Sequence, residues 1–265
     1  MFRKKGFYFL IVFIFSLSLL IGCGGGNQSE NIVQDTSLQD IKEKGYFVLG
    51  INNDIPPLSY IDRNGEIAGF DLELMTEVAK RMEVEIQVES DYESGLESLK
   101  TGYIDILNGL FIGDVEDIDY SNPYINNGIV ILARSDLQHM DNNLENKKVG
   151  VALNSKGHSI LTSGDAFSAE EISTFETNQE VLTQLGIGTI DAAVVEGVFG
   201  RYMIKERPSE FRIINEIESD FYGMGFRKGE DNFREEVNRI LGEMKEDGFM
   251  DSISRKWFGN SLVLE

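Results

Sequence analysis

Cysteine is almost absent from this chain: of 265 residues, only Cys23 carries a thiol. No internal disulfide can form, so the fold rests on its apolar core, for which a 42% apolar content is ample. Histidine is nearly as scarce. His139 and His158 stand in no metal-ligand spacing and read as surface residues. The chain has no GxSxG, no P-loop and no HExxH, so no catalytic constellation is visible. Positive charge is short as well, with 24 Lys and Arg against 45 Asp and Glu for a net charge of −21. That balance argues against nucleic-acid binding and against electrostatic docking on anionic lipid, and marks a solvated, soluble surface. Long apolar runs are missing except for Phe7–Leu20, which is short for a membrane span.

That run follows Arg3, Lys4 and Lys5, the charged and apolar regions of a secretory signal. Leu20-Ile21-Gly22-Cys23 resembles the lipobox of bacterial lipoproteins, in which cleavage leaves the cysteine as a lipidated first residue. An uncleaved anchor, a coincidental cysteine and a catalytic thiol are the other readings, and a Gly-rich segment without an ordered base speaks against the last. Residues 1–22 are therefore expected as a signal peptide and 23–37 as a Gly- and polar-rich tether. Acyl chains at Cys23 would contribute about 0.8 kcal/mol per buried CH₂ to membrane attachment.

The globular part is organised around Gly50–Asp71. The apolar run Tyr46–Leu49 predicts a buried strand, and Asn53, Asp54 and Pro56-Pro57 predict an irregular loop. Arg63-Asn64-Gly65 predicts a turn, and Asp71 an N-cap for a helix whose apolar face carries Leu72, Met75, Ala79 and Met82. A loop leaving the carboxyl end of a strand in an open α/β sheet is where ligands bind, so this loop is expected to wall a cleft.

Further on, Val84, Ile86 and Val88 alternate as in a half-buried strand. Asn108-Gly109 is expected to close a strand over Tyr103–Leu107, and Ile129–Ala133 reads as a central strand. Val149–Val151 and Tyr222–Phe226 read as strands too, and two amphipathic helices end the chain around Phe233–Met244 and Phe249–Phe258. One pattern occurs twice. Leu96, Leu99, Gly102, Ile104 and Asp105 spell LxxLxxGxID, and Leu182, Leu185, Gly188, Ile190 and Asp191 spell it again. Each copy describes a helix with an apolar stripe, a glycine stop at positive φ and a buried strand, which points to two similar α/β lobes.

Taken together these residues resemble the family 3 bacterial extracellular solute-binding proteins, the receptors of polar amino-acid ABC transporters. The resemblance is carried by Pro56-Pro57, Gly69-Phe70-Asp71, Gly102–Asp105 and Tyr120-Ser121-Asn122-Pro123-Tyr124. It continues through Lys147–Val151, Asp191–Val195, Met244–Gly248 and Lys256-Trp257-Phe258-Gly259. It implies a two-lobed periplasmic-binding-protein-like clamshell (type II), each lobe a mixed sheet flanked by helices, with two hinge strands. Lobe 1 would be residues 38–128 plus 221–265 and lobe 2 residues 129–220. The implied function is an extracytoplasmic, lipid-anchored binding component that closes on an amino acid or related small amine and presents itself, as a monomer, to an ABC permease.

The resemblance also implies site residues. Asn52, Ile55 and Tyr92 match lining positions of lobe 1, and Asn108, Gly109 and Phe111 stand at ligand positions around the end of their strand. Ser155 and Lys156 fall in the family's carboxylate cradle, and Glu196 takes the place of the aspartate that accepts the ligand's ammonium. The family's carboxylate-clamping arginine has no counterpart in Gly113–Asp117. Lys156 either replaces it as a point charge or is an exposed surface lysine. With Ile55 and Phe111 replacing polar or aromatic residues, the cleft would favour an exposed amine over a plain acidic amino acid. A ligand-sensing lipoprotein and a cyclohexadienyl dehydratase-like enzyme using Glu196 as its acid are the alternatives; no cofactor or metal is implied.

Overall fold

The computed structural model describes residues 34–265 apart from 91–93, 139, 141–142, 164–168, 219 and 265. The expected signal peptide, Cys23, most of the tether, Tyr92 and His139 lie outside the described residues. The chain divides after Gln34, and the folded body runs from Asp35 onward.

Helix α1 (Ser37–Lys44) leads into β1 (Tyr46–Gly50). There follow the short strands β2 (Asp54–Ile55), β3 (Ser59–Ile61) and β4 (Ile67–Ala68), helix α2 (Phe70–Met82), β5 (Glu85–Glu89), α3 (Gly95–Thr101), β6 (Ile106–Phe111), β7 (Ile118–Tyr120) and β8 (Ile125–Asn126). Next come β9 (Ile129–Arg134), β10 (Lys148–Ala152), α4 (Lys156–Thr162), β11 (Glu171–Phe175), α5 (Asn178–Ile187), β12 (Ala192–Glu196), α6 (Gly197–Glu206) and β13 (Phe211–Glu218). The chain then returns through β14 (Phe221–Arg227) to α7 (Asp231–Glu246) and α8 (Phe249–Phe258).

Two large sheets result, ordered β5-β1-β6-β14-β7 (with β8 on β14) and β11-β10-β12-β9-β13, beside a small one of β2, β3 and β4. In each large sheet, three strands run parallel and a fourth runs antiparallel beside them. The two LxxLxxGxID copies occupy equivalent places. Gly102 (φ 79°) and Gly188 (φ 78°) end α3 and α5 in the left-handed region. Asp105 Oδ2 then accepts the Val48 N–H at 2.8 Å, and Asp191 Oδ2 accepts the Lys148 N–H at 2.9 Å. Ile104 and Ile190 press against Gly50 and Gly150, where an added Cβ would overlap them. The repeated letters thus encode one contact made twice: an isoleucine under a strand glycine and a carboxylate accepting the backbone N–H two residues before that glycine.

Burial explains the strand readings. Along β9, Ile129 and Ile131 enter one core while Val130 and Leu132 enter another. Both faces are covered, hence the unbroken apolar run. Phe47, Leu49, Phe70, Leu74, Met75 and Val78 pack with Phe226, Phe233, Val237, Ile240 and Phe258 in the largest core, so the last two helices belong with the first sheet. Asp35 and Ser37, which composition places in the tether, bind Asn232 and Phe233 at the start of α7.

Three local expectations are corrected. The segment after β1 is not irregular throughout, because β2, β3 and β4 pair as a small antiparallel sheet around the Gly65 turn. Asp71 does not cap α2. Gly69 does, at φ 144°, where a Cβ would run into the Leu58 carbonyl, and Asp71 is drawn inside the fold. Asn108-Gly109 does not close β6 either: the strand runs through it to Phe111, with Gly109 at φ 57° and a register irregularity opposite β14.

Candidate functional site

The chain passes from the first sheet to the second between β8 and β9 and returns between β13 and β14. The two crossing segments touch, the Asn127 N–H donating to the Asp220 carbonyl at 2.8 Å. Asn127 is fully buried, a polar residue between apolar strands. Its Oδ1 accepts the Val198 N–H at 3.0 Å, holding the start of α6, and its Nδ2 donates to Glu196 Oε2 at 3.3 Å. The same oxygen of Glu196 accepts the Tyr222 hydroxyl at 3.0 Å. Glu196, at the carboxyl end of β12, is thereby tied to the first crossing through Asn127 and to the start of β14 through Tyr222.

Burial pushes the Glu196 carboxyl above the usual range, and its two donors and the field of Lys156 only partly offset this. Burial and the neighbouring Glu196 raise the Tyr222 phenol well above its ordinary value, so it stays a donor. The Tyr222 ring meets Phe111 edge-on with centroids 4.5 Å apart. Over the Phe111 ring, 4.9 Å from its centroid, lies the Lys156 ammonium, which also pairs with Asp220. One compact cluster therefore gathers Phe111 and Tyr222 from the first sheet, Glu196 from the second, Lys156 from the start of α4, and Asn127 and Asp220 from the crossings.

A second polar network supports the first. Asp71 is fully buried, and its carboxylate accepts the Tyr124 hydroxyl at 2.9 Å and the Asn108 amide at 3.0 Å. Burial pushes the Asp71 carboxyl up to about 7, the two donors acting against it. Asn108 also donates to Ser59 Oγ at 3.1 Å and accepts the Asn52 N–H at 3.3 Å. Ser59 in turn donates to the Asn52 carbonyl. Asn108, within β6, thus fastens the loop after β1 to that strand and to the start of α2.

The expected residues sort by what they touch. Phe111, Lys156 and Glu196 meet in the cluster. The Asn108 side chain is directed inward, spent on Asp71, Ser59 and Asn52. Gly109 stands beside Asp71 and Tyr222, whose atoms an added Cβ would approach at 3.0 and 3.9 Å. Asn52 is exposed on the loop, and Ile55 packs half-buried against the first core. The Ser155 hydroxyl donates to the Ala152 carbonyl at 2.7 Å and caps α4 by accepting the His158 N–H. Lys156 is about one-quarter exposed and directed inward, not an exposed surface lysine. Asp71, Tyr124, Asn127, Asp220 and Tyr222 were not anticipated. The available signal was the polar Asn126-Asn127-Gly128 step between two apolar strands.

Among curated proteins the chain is similar to the L-cystine-binding protein of Bacillus subtilis (strain 168), 28% identical over 98% of this chain and 99% of that one. It is also similar to the L-cystine-binding protein of Escherichia coli (strain K12), 27% identical over 90% of this chain and 92% of that protein. Among solved structures, an ancestral cationic amino acid solute binding protein superposes with a TM-score of 0.76 at 28% identity, covering 84% of this chain and 99% of that one. The model of one family, bacterial extracellular solute-binding proteins, family 3, matches residues 47–260. With two like-ordered sheets joined by paired crossings and a half-buried acid beside them, the chain belongs to the bacterial extracellular solute-binding proteins, family 3.

Proposed function

We propose that this protein is the solute-binding component of an ABC importer and takes an amino acid or related small amine between its lobes. Lobe 1 is read as residues 38–128 plus 221–265 and lobe 2 as 129–220, closing by rotation about the two crossings. One observation carries the reading. Glu196 is a half-buried carboxylate at the carboxyl end of a central strand, bonded to Asn127 of one crossing and to Tyr222 on β14. A cation bound there would neutralise it and join the halves at once. The named relatives, which bind cystine or cationic amino acids, support the same ligand class.

Cys23 is read as a lipidated residue that holds the protein, as a monomer, on the extracytoplasmic face of the membrane beside its permease. We also read the chain as a binder without catalytic activity. The test is a thermal-shift screen over cystine, arginine, lysine, histidine, glutamine, glutamate and small amines. A ligand at 100 times its Kd adds about 2.7 kcal/mol to stability. A stabilising ligand that no longer acts on the Glu196→Gln variant supports the proposal, and no response to the panel refutes it. Prephenate should emerge unchanged from incubation, and Cys23→Ala should release the expressed protein from membranes.

A further inference from the structure

Lys156 is held in surroundings that an amine-binding site would use. Its ammonium pairs with Asp220 and lies 4.9 Å above the Phe111 ring centroid, while Glu196 feels its charge. A carboxylate, an aromatic face and a second acid nearby are what a desolvated primary ammonium requires. These groups come from three places: Phe111 from β6, Asp220 from the return crossing and Glu196 from β12. The lysine itself comes from the first residue of α4, whose backbone is fixed by the Ser155 cap. Asp220 is further committed to the crossings, Oδ1 accepting the Phe221 N–H at 2.8 Å and the carbonyl accepting the Asn127 N–H.

We infer that Asp220, Phe111 and Glu196 form an ammonium subsite of the cleft and that Lys156 is its internal occupant, which a cationic solute displaces. The lysine stem has four rotatable bonds and is about one-quarter exposed, so its head can leave for water without moving α4. Self-occupancy lowers the apparent affinity for any amine by the fraction of time the subsite is filled. If the lysine sits there about 90% of the time, its removal tightens amine binding about tenfold. The device sets a threshold that a weakly held amine does not cross. The inference rests on reading the cleft as the solute site, but a simple alkylamine probe does not depend on the solute's identity.

Lys156→Ala deletes the ammonium and three of the four carbons of the stem, and n-butylamine, one carbon longer than the fragment removed, is the probe. Thermal melts of the full chain at constant ionic strength should show stabilisation of Lys156→Ala by n-butylamine, with at least a tenfold lower half-saturating concentration than for the wild type. n-Butanol, neutral and similar in shape, should give no such gain. The gain should vanish in Lys156→Ala/Asp220→Asn. Equal responses of wild type and Lys156→Ala, or a gain surviving loss of the Asp220 charge, overturn the proposal. Lys156→Ser opens the same space and serves if the alanine variant does not fold, as judged by circular dichroism. Failure of the amino-acid screen with success here would refute the solute class alone, and the reverse would refute only the internal occupant.

Discussion

Replacing Asp71 by asparagine should change the sign of its effect on stability with pH. The carboxyl is completely buried among Tyr124, Asn108 and Gly109, and burial raises it from an ordinary 3.8 to about 7. Between those values the unfolded chain has released this proton while the folded chain still holds it. The unfolded state then binds fewer protons, so stability falls as pH rises through that window and levels off above it. At 1.36 kcal/mol per pH unit, the loss amounts to about 4 kcal/mol. Asparagine carries no charge to desolvate, but its amide faces the Asn108 donor, at a cost of about 1 kcal/mol. The variant should therefore be slightly less stable near pH 4 and clearly more stable near pH 8. Urea unfolding of both proteins from pH 4 to 8 measures the difference, in which the other carboxylates cancel. A difference flat to within about 1 kcal/mol over that range would refute the reasoning.

Glu196→Gln should weaken binding of a cationic solute at least tenfold, about 1.4 kcal/mol. In the wild type, calorimetric affinity should rise with pH as the raised Glu196 carboxyl ionises, and in the variant it should not. Gly50→Ala and Gly150→Ala should each cost about 1–3 kcal/mol by crowding Ile104 and Ile190. Gly150→Ala should cost more, because Phe175 and Val181 also stand within 3.1 and 3.3 Å of the new methyl; melting temperatures would expose the opposite order. Asp105→Ala should cost about 2 kcal/mol, since it removes the Val48 anchor together with a partner of Lys44 and of Arg227 (which keeps Glu230), whereas Asp191→Ala removes a backbone anchor worth about 1 kcal/mol. Equal losses in denaturant unfolding would contradict that contrast.

Much of the architecture was legible because it is local. The apolar run at Ile129–Ala133, the glycine stops at Gly102 and Gly188 and the doubled LxxLxxGxID each follow from neighbours in sequence. The errors also had local causes. Asp71 looks like a cap and Asn108-Gly109 like a turn because aspartate and asparagine ordinarily hydrogen-bond their own backbone. Here each instead finds a distant partner, Asp71 in Tyr124 and Asn108 in Ser59, and the backbone yields to those buried bonds. Of the site, Glu196 and Phe111 could be placed at strand ends. For Asn127 the polar Asn126-Asn127-Gly128 step is the local mark, whereas Asp220 and Tyr222 meet partners 64 and 26 positions away and carry none.

The sequence by itself determined two α/β halves of like order, because helix stripes, glycine stops and strand runs are set by a few adjacent residues. Only the tertiary structure decided which polar groups meet between them. Lys156 and Asp220 are 64 positions apart and Tyr222 and Glu196 are 26 apart. Their pairing depends on how two separately formed sheets are joined at the crossings, and no local propensity encodes that joint.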